Sequence, residues 1–168
     1  MALHAPKTHP RDYGFKKGDY HLIVNAATDT VKAYTFEGKL LWEKPCLPEG
    51  LSANWRSRGG DTPPSVYKLG TLYNDIQNGT MERPFGWMFW DLVDCDESFR
   101  EDGENSNYRS GIGLHGGGSA LDDPFAPYQP LVYTQGCVRM HNKDMADYVY
   151  PLYKEATTVY LSVYQDDN

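Results

Sequence analysis

The sequence predicts a mostly β protein, with a sandwich or barrel-like body and one main helix. Short runs of alternating apolar and polar residues support this fold class, as do the 16 glycines and 11 prolines, which favour many turns. A helical pattern is convincing in one segment only. A length of 168 residues suits one domain. We divide the chain into an N-terminal arm (1–19), a domain (20–164) and a short tail (165–168).

The first elements are predicted to form a three-stranded meander. The arm is polar and interrupted by proline and glycine, so we expect little regular structure in it. Residues 21–25 and 31–36 are β runs separated by a turn, and Glu37-Gly38 turns the chain into a third strand at 39–43.

The middle of the chain alternates loops with further strands. A loop rich in glycine and proline (48–64) precedes a short strand at 65–69, and the most apolar stretch, 85–93, is predicted to be a central strand. Residues 94–110 are polar and acidic, and 116–130 contain three prolines. We expect these two segments to be exposed loops that flank a functional site.

Alternation within the apolar stretch places Trp87 and Phe89 on one face and Trp90 on the other. We predict that these aromatic residues belong to the core. The alternative is that one of the two faces lines a groove.

The C-terminal third is predicted to contain the main helix. Short strands are expected at 111–115 and 131–133. Asn142 is a good N-cap for the helix, and Pro151 should kink or restart it. Four apolar residues fall on one helix face: Met145, Tyr148, Val149 and Leu152. An alternating strand, 157–164, follows.

Charge and hydropathy exclude two classes of function. The 23 acidic against 16 basic residues give a formal charge of −7, which argues against binding a phosphate backbone, and hence against a nucleic acid partner. No apolar run approaches the roughly 20 residues of a membrane helix. Residues 1–20 have no apolar core typical of a secretory signal, so we expect another delivery route or a truncated chain.

The residues suited to chemistry cluster around one of the three cysteines, Cys137. Gly136 permits close backbone approach, and Arg139 supplies a positive charge that favours a thiolate or binds a carboxylate. His115 lies 22 positions upstream, where a predicted strand meets a glycine run. A Cys–His pair is the minimum for a thiol nucleophile. The alternative is that Cys137 is a small buried core residue. We interpret Cys46 and Cys95 as structural or incidental residues, and the alternative is a disulfide between them.

These residues resemble the L,D-transpeptidase catalytic domain, also called the YkuD domain. The signature of that family is His-Gly, a gap, and then Ser/Thr-His-Gly-Cys followed by an apolar residue and often Arg. It is matched by His115-Gly116 and by Thr134-Gln135-Gly136-Cys137-Val138-Arg139-Met140, with Gln135 in place of the usual second histidine. The segment 60–70 resembles the family's Thr-Pro-x-Gly-x-Tyr/Phe element, with Ser65 where glycine is usual. The resemblance covers roughly 20–164.

The resemblance implies an enzyme that acts on peptidoglycan stem peptides in the periplasm or cell wall. Cys137 would attack the bond between meso-diaminopimelate and D-Ala and form a thioester. An amine acceptor would then give a 3→3 cross-link or an exchanged D-amino acid, and water would give L,D-carboxypeptidase activity. Neither a metal nor an organic cofactor is needed. A carbapenem would be a covalent inhibitor, and we expect a monomer.

The resemblance also implies roles for individual residues. His115 would be the base, with the main-chain carbonyl of Gly116 as the third member of the catalytic group. The N–H groups of Gly136 and Cys137 would form the oxyanion hole. Thr134, Gln135 and Arg139 would surround the substrate. Arg139 would either bind a carboxylate of the substrate or order the site.

Two other functions are compatible with the sequence. A metal-dependent wall hydrolase would use His115, Cys137 and His141 with Asp122 or Asp123, although no compact spacing such as His-x-x-x-His supports it. A non-catalytic wall-binding module with the same fold would be supported only by Gln135 and Ser65.

Overall fold

The computed structural model describes residues 3–96 and 111–166. The strands in these ranges are β1 (Leu3–His4), β2 (Tyr20–Asn25), β3 (Thr30–Thr35), β4 (Leu40–Leu47), β5 (Val66–Asp75), β6 (Met88–Asp94), β7 (Gly113–His115), β8 (Val138–Met140) and β9 (Val159–Asp166). The helical segment consists of α1 (Asn142–Asp144), a π-helical turn (Met145–Val149) and α2 (Tyr150–Glu155). The described residues also contain two 3-10 turns, at Pro10–Tyr13 and Ile76–Asn78.

Eight strands form a closed, barrel-like sheet. Their order is β9-β2-β3-β4-β8-β7-β6-β5, and β5 pairs with β9 again to close the sheet. Two pairs are parallel, β2 with β9 and β7 with β8, and the others are antiparallel. The predicted fold class, mostly β with one main helix after the cysteine, is therefore confirmed.

The core lies between the sheet and the helical segment. Alternation sends Leu22 of β2 and Val31 of β3 inward, where they join Met145, Val149 and Leu152 of the helical segment in one buried cluster. Burying a side chain of this size stabilises the fold by about 1.5–3 kcal/mol. The predicted apolar helix face therefore packs on the sheet, except that Tyr148 stays exposed at its edge.

Both ends of the chain are more regular than predicted. In the arm, β1 pairs with the end of β9, through Leu3 with Asp166 and His4 with Gln165. β1 can pair there because β9 is longer than the part that pairs with β2, which ends at Tyr164. The arm also contains the 3-10 turn Pro10–Tyr13, and the described part of the predicted tail belongs to β9.

Three further predictions need correction. Residues 131–133 do not form a strand, since the carbonyls of Val132 and Tyr133 accept hydrogen bonds from a guanidinium instead of from a neighbouring strand. Asn142 is the first helical residue and not its N-cap, which is His141. The strand expected at 65–69 continues to Asp75.

The structure describes one of the two predicted loops but little of the other. Residues 116–130 contain neither helix nor strand, as expected for a loop, whereas most of 94–110 lies outside the described residues. Over the described ranges, every helix is too short or too polar to cross a membrane.

Candidate active site

The parallel pair β7 and β8 brings the candidate nucleophile and base together. His115, the last residue of β7, lies beside Arg139 of β8. Side chains two positions apart on a strand share a face, so Cys137 lies on the same face as Arg139, and Gly113 on the same face as His115. In this register Cys137 comes opposite Gly113, two positions along the strand pair from His115, so residues 22 apart in sequence lie on one face of the pair.

This face borders a cavity of about 710 Å³. Five predicted site residues line it: Cys137, His115, Arg139, Thr134 and Gln135. Apolar side chains form much of the remaining wall, among them Leu51, Phe85, Leu121, Val132 and Tyr133. No carboxylate lines the cavity among residues 3–96 and 111–166. The cavity is large enough for an extended peptide end to reach the thiol.

The Cys137 thiol is accessible from this cavity. Its Sγ atom accepts a hydrogen bond from the Gly113 N–H at 3.3 Å and can donate to the Gly111 carbonyl at 3.7 Å. None of the three cysteines is in a disulfide. Burial raises the pKa of the Cys46 thiol, and it raises that of Cys95 to about 11, so these thiols are poor nucleophiles.

His115 is held as a neutral imidazole with a defined tautomer. Its Nδ1 atom lies 2.8 Å from the Gly116 carbonyl oxygen, which can only accept, so Nδ1 carries the proton and Nε2 keeps its lone pair. The ring is 3% exposed, and burial lowers its pKa to about 3. The Gly116 hydrogen bond opposes this shift, and the charge of Arg139 adds to it. Nε2 is therefore unprotonated at neutral pH, and the tautomer, rather than the lowered pKa, leaves it able to accept a proton.

Arg139 organises the loops around the cavity. Arg139 is 5% exposed, and its guanidinium donates to main-chain carbonyls of three segments: Gly116 at 3.2 Å, Val132 at 2.9 Å and Pro84 at 3.2 Å. Since these donors are already used, the geometry favours an ordering role for Arg139 over substrate carboxylate binding. Arg139 and His115 share the Gly116 carbonyl as acceptor.

The turn that carries the thiol, residues 134–137, is called here the cysteine turn. Thr134 Oγ1 accepts from the Gly136 N–H at 2.9 Å and donates to the Cys137 carbonyl at 2.9 Å. Gly136 has a φ of 118°, a conformation that favours glycine. Because the Gly136 N–H is bonded to Thr134, it offers no donor to a substrate in this conformation. The oxyanion role stays a prediction for the Cys137 N–H.

Sequence reasoning missed two residues that support the site. Thr62 donates from Oγ1 to the Gly136 carbonyl at 2.7 Å. Its position in the Thr-Pro element is the feature of the sequence that could have indicated this role. Asn142 is buried: its Oδ1 accepts from Gly117 N at 3.0 Å, and its Nδ2 donates to the Pro124 and Ala126 carbonyls at 2.8 Å. A Cβ atom at Gly116 would overlap Asn142 Oδ1, so this glycine is required for packing.

The metal-site alternative has no geometric support. Within the described ranges, no three His, Cys, Asp or Glu side chains lie close enough to hold a metal ion. His141 instead places Nδ1 2.9 Å from the Gln129 carbonyl and is not on the cavity wall.

Comparison with known proteins identifies relatives of this arrangement. A sequence model of the YkuD family, the L,D-transpeptidase catalytic domain, matches residues 19–161. No curated protein matches the chain.

Among solved structures, a point variant of Pgp2, a helical cell shape determining protein from Campylobacter jejuni, is 15% identical with a TM-score of 0.63, covering 92% of this chain and 49% of Pgp2. Bd1075 from Bdellovibrio bacteriovorus is 16% identical with a TM-score of 0.58, covering 99% of this chain and 53% of Bd1075. L,D-transpeptidase 1 from Mycobacterium tuberculosis is 11% identical with a TM-score of 0.47, covering 86% of this chain and 61% of that one.

The likeness to Pgp2 and Bd1075 concerns the fold. This chain spans about half the length of each, 49% and 53%.

Proposed function

This chain belongs to the L,D-transpeptidase catalytic domain family, and we propose that it cleaves peptidoglycan stem peptides through a thioester on Cys137. The substrate would be a tetrapeptide stem that ends in meso-diaminopimelate and D-Ala, presented in the cell wall. The observation that carries the proposal is the joint placement of Cys137 and His115 on one cavity, with the His115 tautomer defined by Gly116.

Acylation begins with proton transfer. Nε2 of neutral His115 takes the thiol proton as Sγ of Cys137 attacks the carbonyl carbon on the L-centre of meso-diaminopimelate. The tetrahedral intermediate collapses when the C–N bond breaks, and the imidazolium gives its proton to the departing amine. D-Ala leaves, and the acyl group remains on Cys137 as a thioester.

Deacylation reverses the roles. An incoming amine attacks the thioester carbonyl, His115 removes the amine proton, and the thiolate leaves and is reprotonated. If the amine is the side-chain amine of a second stem, the product is a 3→3 cross-link. A D-amino acid gives an exchanged tetrapeptide, and water gives a tripeptide.

The cavity wall supports a peptide substrate more than a metal-assisted reaction. Arg139 donates to four main-chain carbonyls from three segments, which keeps the mouth of the cavity in one shape. The apolar wall around Leu121 and Val132 lowers the local dielectric constant near the thiol, which strengthens the charge interactions of the transition state.

The non-catalytic alternative loses one of its two supports. Ser65 is fully buried and donates to Asp94 at 2.6 Å, so it is absent from the cavity wall. Gln135 lies on that wall as an exposed side chain, where it can contact a substrate without carrying a proton.

The test is mass spectrometry of disaccharide-tetrapeptide muropeptides after incubation with the protein, with and without an added D-amino acid. We expect tripeptides, 3→3 dimers or exchanged tetrapeptides. Cys137→Ala should form none of them, whereas Cys95→Ala, which removes a different thiol, should match the wild type. Unchanged tetrapeptide with the wild-type protein would contradict the proposal, as would equal turnover by Cys137→Ala.

A further inference from the structure

We propose that Phe89 is a positioning residue for His115: its ring, stacked on the imidazole, holds that ring where Nδ1 donates to Gly116 and Nε2 stays available to the thiol. The inference rests on the proposed function, because it assigns His115 the part of the base. Phe89 itself does not line the cavity, so it would act through His115.

The register of the sheet creates the stack. Phe89 of β6 is the direct partner of His115 of β7. Their ring centroids lie 5.4 Å apart with an angle of 21° between planes, a stacked arrangement. Phe85 meets the imidazole edge-on at 5.3 Å and 77°, and its centroid lies 4.6 Å from that of Phe89. Two aromatic rings therefore restrict rotation of the imidazole.

Gly113 provides the space for this stack. A Cβ atom at position 113 would lie 2.5 Å from Cζ and 2.7 Å from Cε2 of Phe89, so a larger residue would displace the ring. The same residue donates its N–H to Sγ of Cys137 at 3.3 Å. One glycine thus connects the position of the Phe89 ring with the position of the thiol.

The stack also determines the surroundings of the imidazole. An apolar ring on its face excludes water, and loss of hydration disfavours the imidazolium form. The elements packed around His115 carry these titratable or charged side chains within the described residues: Arg83, Asp91, Asp94, Cys137 and Arg139. Of these, Arg139 acts on His115 through its charge, and its effect is smaller than that of burial.

The test is NMR of the ¹⁵N-labelled full chain, which reads the tautomer and protonation of His115 independently of turnover. In the wild type we expect the Nδ1–H tautomer, an upfield ring-current shift of the His115 ring protons, and a neutral imidazole down to pH 5. In Phe89→Leu we expect a mixture of tautomers and measurable protonation at pH 5. Phe89→Tyr, which keeps the ring, and Phe36→Leu, which removes a phenylalanine outside the stack, should match the wild type.

Two results would overturn the proposal. One is a wild-type protein without the ring-current shift, which needs no variant and decides the question even if Phe89→Leu does not fold. The other is a folded Phe89→Leu that keeps the wild-type tautomer and protonation.

Turnover separates this inference from the proposed function. If Phe89 positions the base, kcat should fall about tenfold in Phe89→Leu with little change in KM. If the wild type processes no muropeptide but Phe89→Leu changes the His115 spectrum, the proposed function fails and the positioning role stands. If the wild type is active and the spectrum is unchanged in folded Phe89→Leu, the positioning role fails alone.

Discussion

The hydroxyl of Thr62 donates a 2.7 Å hydrogen bond to the carbonyl of Gly136, the residue directly before the candidate nucleophile. The cysteine turn is thereby attached to a loop more than 70 positions away in sequence. That loop is attached in turn to β9, because Gln165 Nε2 donates to the carbonyls of Thr62 at 2.8 Å and Pro48 at 3.1 Å. The position of the thiol thus depends on residues from three separate parts of the chain.

Thr62→Val should impair both stability and turnover. Valine keeps the shape of threonine but removes the donor, and the Gly136 carbonyl stays buried without this partner. We expect a loss of about 1–3 kcal/mol in the free energy of unfolding, measured by urea denaturation. We also expect a fall of about tenfold or more in kcat, since a small shift of the cysteine turn misplaces the thiol. Thr28→Val, at an exposed threonine, is the matched control. Equal effects from both variants would contradict the role of Thr62 in holding the cysteine turn.

Alkylation should be selective for Cys137. Iodoacetamide at neutral pH should modify it first, because Cys46 is 1% exposed with a raised pKa, and the pKa of Cys95 is raised to about 11. Peptide mapping after limited reaction identifies the modified residue. Faster labelling of Cys95 than of Cys137 would argue against an activated thiol in the cavity.

A carbapenem should acylate the same residue, as family membership implies. The intact mass should increase by one drug equivalent in the wild type and in Cys95→Ala, and should stay unchanged in Cys137→Ala. Peptide mapping should place the adduct in 134–140. An adduct on Cys46 or Cys95, or none on a protein whose Cys137 reacts with iodoacetamide, would count against the proposed mechanism.

His115→Gln should reduce turnover by roughly 10²-fold or more, within the range for loss of a general base. His141→Gln should cost far less, because the His141 ring contacts Tyr128 and the Gln129 carbonyl and is not on the cavity wall. Circular dichroism should confirm that both variants fold. A larger loss from His141→Gln would reverse the assignment of the base.

Acid should destabilise the fold through buried histidines. Burial lowers the pKa of His21 to about 4, with a smaller effect from His9, and burial lowers that of His115 to about 3. The unfolded chain, with its ordinary histidine pKa near 6.5, binds more protons below that pH. The contribution of these histidines to the free energy of unfolding should therefore be fully present above about pH 6.5. It should fall as the pH drops towards 4, by at most about 1.4 kcal/mol per pH unit for each histidine.

Thermal unfolding at several pH values measures this effect. His21→Gln keeps a donor near Ser162, which lies 2.7 Å from His21 Nε2, and should reduce the pH slope. Ser162→Ala, which retains the histidine, should lower stability but keep the slope. An unchanged slope in His21→Gln would show that His21 does not contribute.

The meander and the helix face could be predicted from the sequence because their signals are local. In β3, Val31 and Ala33 face the core while Lys32 between them does not, which is the period that a strand requires. The placement of His115 and Cys137 on one cavity followed from the family resemblance. The register of β7 against β8 supplies its physical reason.

Other features depend on partners that no local pattern reveals. Residues 131–133 have a strand-like composition, yet the guanidinium of Arg139 uses the carbonyls that a strand would need. Asn142 is a residue type that favours helix caps, but its side-chain amide instead bonds to the backbone of the loop 116–130, at Gly117 and Pro124. The Phe89 stack requires knowledge of the register, since alternation alone leaves the opposite partner undefined.

Closure of the sheet by β9 has a consequence for the order in which the molecule assembles. Residues 159–166 pair with β2 on one side and with β5 on the other, and Gln165 in the same strand anchors the loop that carries Thr62. Contacts between positions so distant in sequence form slowly, because a long loop must close first. During synthesis, neither the closed sheet nor the anchoring of the Thr62 loop, which holds the cysteine turn, can be completed before β9 has been made. The thiol is therefore positioned only after the fold has closed, and an incomplete chain holds no preorganised nucleophile.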